Sequence, residues 1–130
     1  MKILIGYKGK ERAKRLLDLA IHRAKPYSGE VFVISSLYGS ESTTGKHISE
    51  VEKNLADAAK YLEENGIRHQ TRFLIQGKSP GEDIVDFAKQ HQIDEIIIGV
   101  RNRSKVGKLL FGSTAQFVIL EAECPVVAVK

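Results

Sequence analysis

Two rhythms alternate along the chain: short runs of consecutive apolar residues, and longer stretches with apolar residues three and four apart. Ile3 to Ile5 is the first short run, closed by Gly6 and Gly9. Behind it Ala13, Leu16, Leu17, Ala20, Ile21 and Ala24 form one helical stripe, broken by Pro26 and Gly29. Glu30 to Ile34 reads as the second strand, and Ser35 to His47, rich in Ser, Thr and Gly, as a polar loop. Ser49 and Glu52 match a capping box. The helix they open carries Val51, Leu55, Ala58, Ala59 and Leu62 and stops at Asn65-Gly66. His69 to Ile75 predicts a third strand, turned by Gln76-Gly77. In Ser79-Pro80-Gly81-Glu82, Ser is the cap, Pro the first helical residue and Glu the third; Ile84, Val85 and Ala88 supply the buried face. The fourth strand is Glu95 to Ile98, whose isoleucines read as buried on both faces. A helix from about Ser113 to Glu123, ended by Cys124-Pro125, leads to a last strand, Val126 to Val129.

Five strands alternating with four helices predict an α/β fold: a mostly parallel sheet in the order 3-2-1-4-5, Rossmann-like, with helices on both faces. Residues 1–130 read as one domain, with neither linker nor internal repeat. In such sheets ligands bind at the carboxyl ends of the strands, where the strand order reverses; here that point lies between strands 1 and 4.

Composition narrows the class. The chain is 42% hydrophobic and 28% charged, which describes a folded globular domain. No apolar run reaches membrane-spanning length, and the first run is too short for a signal peptide, so a cytoplasmic location is expected. A single cysteine, Cys124, agrees with that compartment. The net charge of +4 permits an anionic ligand without requiring nucleic acid.

The positive charge is concentrated at the switch point. After Gly99 comes a loop with Arg101, Arg103, Lys105 and Lys108 and no acid, then Gly112-Ser113 at the start of a helix. Ser113 with Gln116 fits a helix-start signature. Free N–H groups and the positive helix end there favour a phosphate. The loop after strand 1, Gly6-Tyr7-Lys8-Gly9-Lys10, is basic as well.

These residues resemble the universal stress protein family over nearly the whole chain. Its nucleotide-binding branch carries Gly-x-x-Gly, nine residues and Gly-Ser/Thr after the fourth strand; Gly99, Asn102, Gly112 and Ser113 stand at those positions. The ending Glu-Cys-Pro-Val-Val-Ala-Val and Gly77-x-x-Pro80 match it too. The resemblance implies that ATP or another adenine nucleotide binds with its phosphates at Gly99, Arg101, Asn102, Arg103, Gly112, Ser113 and Thr114. Adenine and ribose would lie near Gly6, Tyr7, Lys8 and Ser36. It also implies a homodimer paired through Val126 to Val129. Two positions depart from the pattern: Asn102 replaces the second glycine, and Lys8 replaces an acidic residue near the ribose and the metal-phosphate region, which argues against Mg²⁺.

Plainer readings stand beside these. Ser113 can cap its helix without touching a ligand. Glu82, Asp83 and Asp86 read as a solvated acidic face, and the four histidines lack metal-ligand spacing. Cys124 reads as a small buried residue, not a nucleophile. No P-loop, nucleophile elbow or catalytic base is present, so no catalytic residue is assigned. Two functions remain: a nucleotide-responsive stress or signalling module, and a dimeric interaction protein that binds no nucleotide. Nucleic acid is a poor partner, because aromatic residues do not interleave the basic loop.

Overall fold

The computed structural model describes residues 1–9, 13–36, 45–75, 78–100 and 112–130. Its elements are β1 (Lys2–Gly6), α1 (Ala13–Ala24), β2 (Glu30–Ser36), α2 (Gly45–Glu64), β3 (Arg68–Leu74), α3 (Pro80–Gln90), β4 (Glu95–Gly99), α4 (Ser113–Glu121) and β5 (Val126–Val129), with a 3-10 turn at Lys25–Tyr27. The five strands form one sheet in the order β3-β2-β1-β4-β5, and every pairing is parallel. Fold class and strand order are those the apolar pattern predicts.

The alternation of side chains along each strand builds two cores. Ile3, Ile5, Val31, Val33 and Ile97 pack under α1 and α2, while Leu4, Phe32, Ile34, Ile96 and Ile98 pack under α3 and α4. The middles of the central strands, Ile3 to Ile5, Val31 to Ile34 and Ile96 to Ile98, are therefore apolar at every position, and each fully buried Ile or Leu contributes about 1.5–3 kcal/mol. At the amino end of the sheet the one buried acid of β4, Glu95, is held by Arg23 of α1, whose Nη2 lies 2.5 Å from Oε2. Burying that carboxylate without its guanidinium would be strongly destabilising.

Several boundaries differ from the sequence reading. Helix α2 begins at Gly45, so Ser49 is no cap: its hydroxyl donates back to the Gly45 carbonyl at 2.9 Å, one turn inside the helix. The polar loop is correspondingly shorter at both ends, since Ser35 and Ser36 extend β2. Strand β3 sits one residue earlier than expected, and α4 ends at Glu121, where Ala122 turns extended. The α3 start is as read: Ser79 caps it, accepting from the Glu82 N–H at 3.3 Å, with Pro80 in the first turn.

Candidate functional site

At the carboxyl edge of the sheet, β1 and β4 run side by side, with Gly6 opposite Ile98. The loop after β1, the end of β2, the end of β4 and the starts of α3 and α4 all belong to this edge. Of the residues singled out by sequence, Gly6, Tyr7, Lys8, Ser36, Gly99, Gly112, Ser113 and Thr114 are placed; Arg101, Asn102 and Arg103 lie outside the described residues, as do Lys10, Gly77, Lys105 and Lys108.

The two helix starts differ in how their positive ends are met. Helix α3 supplies its own compensation, with the Ser79 cap and Glu82 and Asp83 in its first turn. Helix α4 has none among the described residues: its N-cap is Gly112, no described side chain caps it, and no acid lies in its first turn. Its first backbone bond runs from the Gln116 N–H to the Gly112 carbonyl at 3.0 Å. The N–H groups of Ser113, Thr114 and Ala115 therefore have no acceptor within the helix. Ser113 is thus the first helical residue and not the cap, which corrects the capping reading. Gly112 and Ser113 are exposed and Thr114 half-buried. Among the described residues a Cβ built on Gly112 meets nothing within 4 Å, and its φ of −62° suits any residue, so neither their packing nor the backbone conformation calls for glycine there. The two helices pack closely, since a Cβ on Gly81 would lie 2.9 Å from the Cβ of Phe117.

The loop after β1 is fixed by α2 and β2. The Tyr7 N–H donates to the Ile34 carbonyl at 2.9 Å, and its carbonyl accepts from the Ser35 hydroxyl at 2.7 Å. One lone pair of that carbonyl remains for a ligand donor. The Tyr7 ring is buried; burial first, and Asp57 second, push its phenol above the ordinary tyrosine range. Gly9 has a φ of +66°, and a Cβ there would fall 2.4 Å from the Asn54 amide, so only glycine fits the turn. Lys8 stands exposed just before it. At Gly6 the space for a Cβ is taken by Ile84.

Asp83 does not belong to a solvated face, contrary to what the acidic pattern of α3 suggests. It is 2% exposed, and it accepts a hydrogen bond from the hydroxyl of Ser36 at the end of β2. Sequence held one signal for this: Asp83 lies four residues before Phe87, which is buried as well. Burial pushes the Cys124 thiol up, away from nucleophilic use. Among the described residues no group of three or more His, Cys, Asp or Glu could hold a metal ion, and no helix is long and apolar enough to cross a membrane.

Comparison with known proteins agrees with this fold. The model of the universal stress protein family matches residues 1–130. A universal stress protein of Thermus aquaticus is 31% identical over 134 residues, covering 98% of this chain and 97% of its own. The solved structure of a universal stress protein from Archaeoglobus fulgidus superposes with a TM-score of 0.90 at 38% identity, covering 100% of this chain and 98% of that one. A structure from the same organism, in complex with dAMP, gives a TM-score of 0.85 at 34% identity, with coverage of 100% and 98%.

Proposed function

The chain belongs to the universal stress protein family, and from that premise we propose that it is a stress-response or signalling module that binds an adenine nucleotide at the β1/β4 switch point. The observation that carries this reading is the uncapped α4 start. Three N–H groups without an acceptor in the helix, and a dipole that no described side chain compensates, lie beside the exposed Gly112-Ser113, at the edge where such sheets bind ligands. That an archaeal relative 34% identical is seen with dAMP supports the adenine class. Phosphate would rest on Gly112, Ser113 and Thr114 with Gly99 beneath, and the base would lie toward Tyr7 and Ser36. No general base or nucleophile is assigned, and we read the protein as a binding module, not an enzyme. Calorimetric titration with dAMP, AMP and ATP tests this; saturable one-site binding is expected, and absence of heat with all three would defeat it.

Lys8 favours a second reading, a dimeric interaction protein that takes no nucleotide, because a cation stands where the family pattern has an acid. In both readings we propose a homodimer paired through β5. The Ile96 N–H donates to the Pro125 carbonyl and the Val100 N–H to that of Val129, so alternate residues of β5, Val126 and Ala128, turn their N–H and C=O groups outward. None of their outward groups is bonded by a side chain among the described residues, and Leu120 (71% exposed) and Ile119 lie open on the adjoining helix α4. Ala128→Pro removes an outward N–H and none of the β4 ladder. It is expected to convert a dimer into a folded monomer by light scattering. A wild-type monomer, or a dimer that survives the substitution, would contradict the pairing.

A further inference from the structure

The sheet has a second edge, β3, and its chemistry is the reverse of that at β5. The Glu30 N–H donates to the Met1 carbonyl and the Ile34 carbonyl accepts from Tyr7, so the even residues of β2 face β1 and the odd ones face β3. With Val33 opposite Thr71, the β2 groups then bond Gln70 and Arg72. His69, Thr71 and Phe73 consequently turn their backbone groups to the open side; of Ile67, just before the strand, only the carbonyl is left for that edge, since its N–H donates to the Leu62 carbonyl at 3.0 Å. Two of those outward carbonyls are already occupied by the strand's own side chains. Arg72 Nη1 donates to the Thr71 carbonyl at 3.0 Å, while its Nη2 is anchored on Gln70 Oε1 at 2.7 Å. His69 Nδ1 lies 2.8 Å from the Ile67 carbonyl, a bond its Nδ1–H tautomer donates. Arg68 and Arg72 are exposed, and β3 itself carries no acid; the neighbouring acid is Glu30 of β2, in register with Arg68, whose carboxylate accepts from Gln70 at 3.2 Å on the inner side of the strand.

We infer that Arg72 and His69 close the β3 edge to strand pairing, so that a second copy of this chain is directed to the β5 edge and assembly stops there. An incoming strand must supply N–H donors to the Thr71 and Ile67 carbonyls. It would have to displace a guanidinium held at two points and an imidazole, and then bring its own cations against Arg68 and Arg72. Charged and inward-folded side chains are a general means of blunting an edge. A sheet with two open edges would polymerise head to tail, whereas one open edge closes as a two-fold pair.

The test replaces both side chains by threonine, a strand former that adds no apolar surface. The variant carrying His69→Thr and Arg72→Thr is expected to reach, at high micromolar concentration, about double the wild-type mass or more by light scattering. Adding Thr71→Pro, whose lost N–H points outward, should return the mass to the wild-type value. The inference fails if the double variant, folded by circular dichroism, keeps the wild-type mass at every concentration. It fails equally if the proline does not reverse the growth, since the association would then lie elsewhere. The β5 pairing is judged separately: growth through β3 raises the mass whether wild type is one chain or two.

Discussion

Gly112→Val is expected to lower adenine-nucleotide affinity by at least about 100-fold, roughly 2.7 kcal/mol, while leaving the fold intact. Both halves of that expectation come from the same position. A Cβ at Gly112 meets no described atom within 4 Å, and the backbone there is in the ordinary extended region, so valine adds neither clash with the described residues nor strain. Glycine is in any case only a modest N-cap, and losing it costs α4 about 1 kcal/mol at most. A phosphate drawn to the Ser113, Thr114 and Ala115 N–H groups must approach within hydrogen-bond distance of that backbone. Two γ-methyl groups in the approach would hold it off and shield the helix end with apolar surface. Calorimetry checks it, with circular dichroism unchanged and the thermal midpoint lowered by no more than about 5 °C. Equal affinity in wild type and variant would remove the phosphate from this helix end.

The second large effect is a sign, that of the response to Mg²⁺. We propose that Mg²⁺ is not required, because Lys8 occupies the position after β1 where the family pattern has an acid. An ammonium about 4 Å from a phosphoryl oxygen gains roughly 4 kcal/mol at an effective dielectric near 20, before desolvation and lost side-chain freedom reduce it. Nucleotide is therefore expected to bind without Mg²⁺, and added Mg²⁺ to help little or to weaken binding. Lys8→Asp should weaken metal-free binding and introduce a metal requirement. If Lys8 instead obstructs the pocket, wild type binds nothing and Lys8→Asp gains affinity, which is the outcome of the nucleotide-free reading. A wild type that needs Mg²⁺ for tight binding contradicts both.

How much of this was legible beforehand depended on the kind of signal. Strand order and the two cores followed from Ile3 to Ile5, Glu30 to Ile34 and Ile96 to Ile98, where several apolar residues agree on one period. The Ser79-Pro80 helix start was legible because cap, proline and acid point to the same residue. Ser49 misled because a capping box is a local pattern, and α2 already gains a full turn from Gly45. Ser113 misled in the same way, by one position. Asp83 escaped because its partner Ser36 lies 47 residues away in sequence, which leaves the spacing to Phe87 as the one local hint. The asymmetry between the sheet edges was equally hidden: which backbone groups of β3 face outward follows from the ladder and not from the strand's composition.

The central claim is that an adenine nucleotide occupies the β1/β4 switch point, and the contents of the purified protein bear on it most directly. Mass spectrometry of the small molecules released on denaturation is expected to find an adenine nucleotide in wild type and none in Gly112→Val. Wild type that releases no nucleotide after purification at low salt, and takes up none when incubated with AMP, dAMP or ATP, would contradict the account.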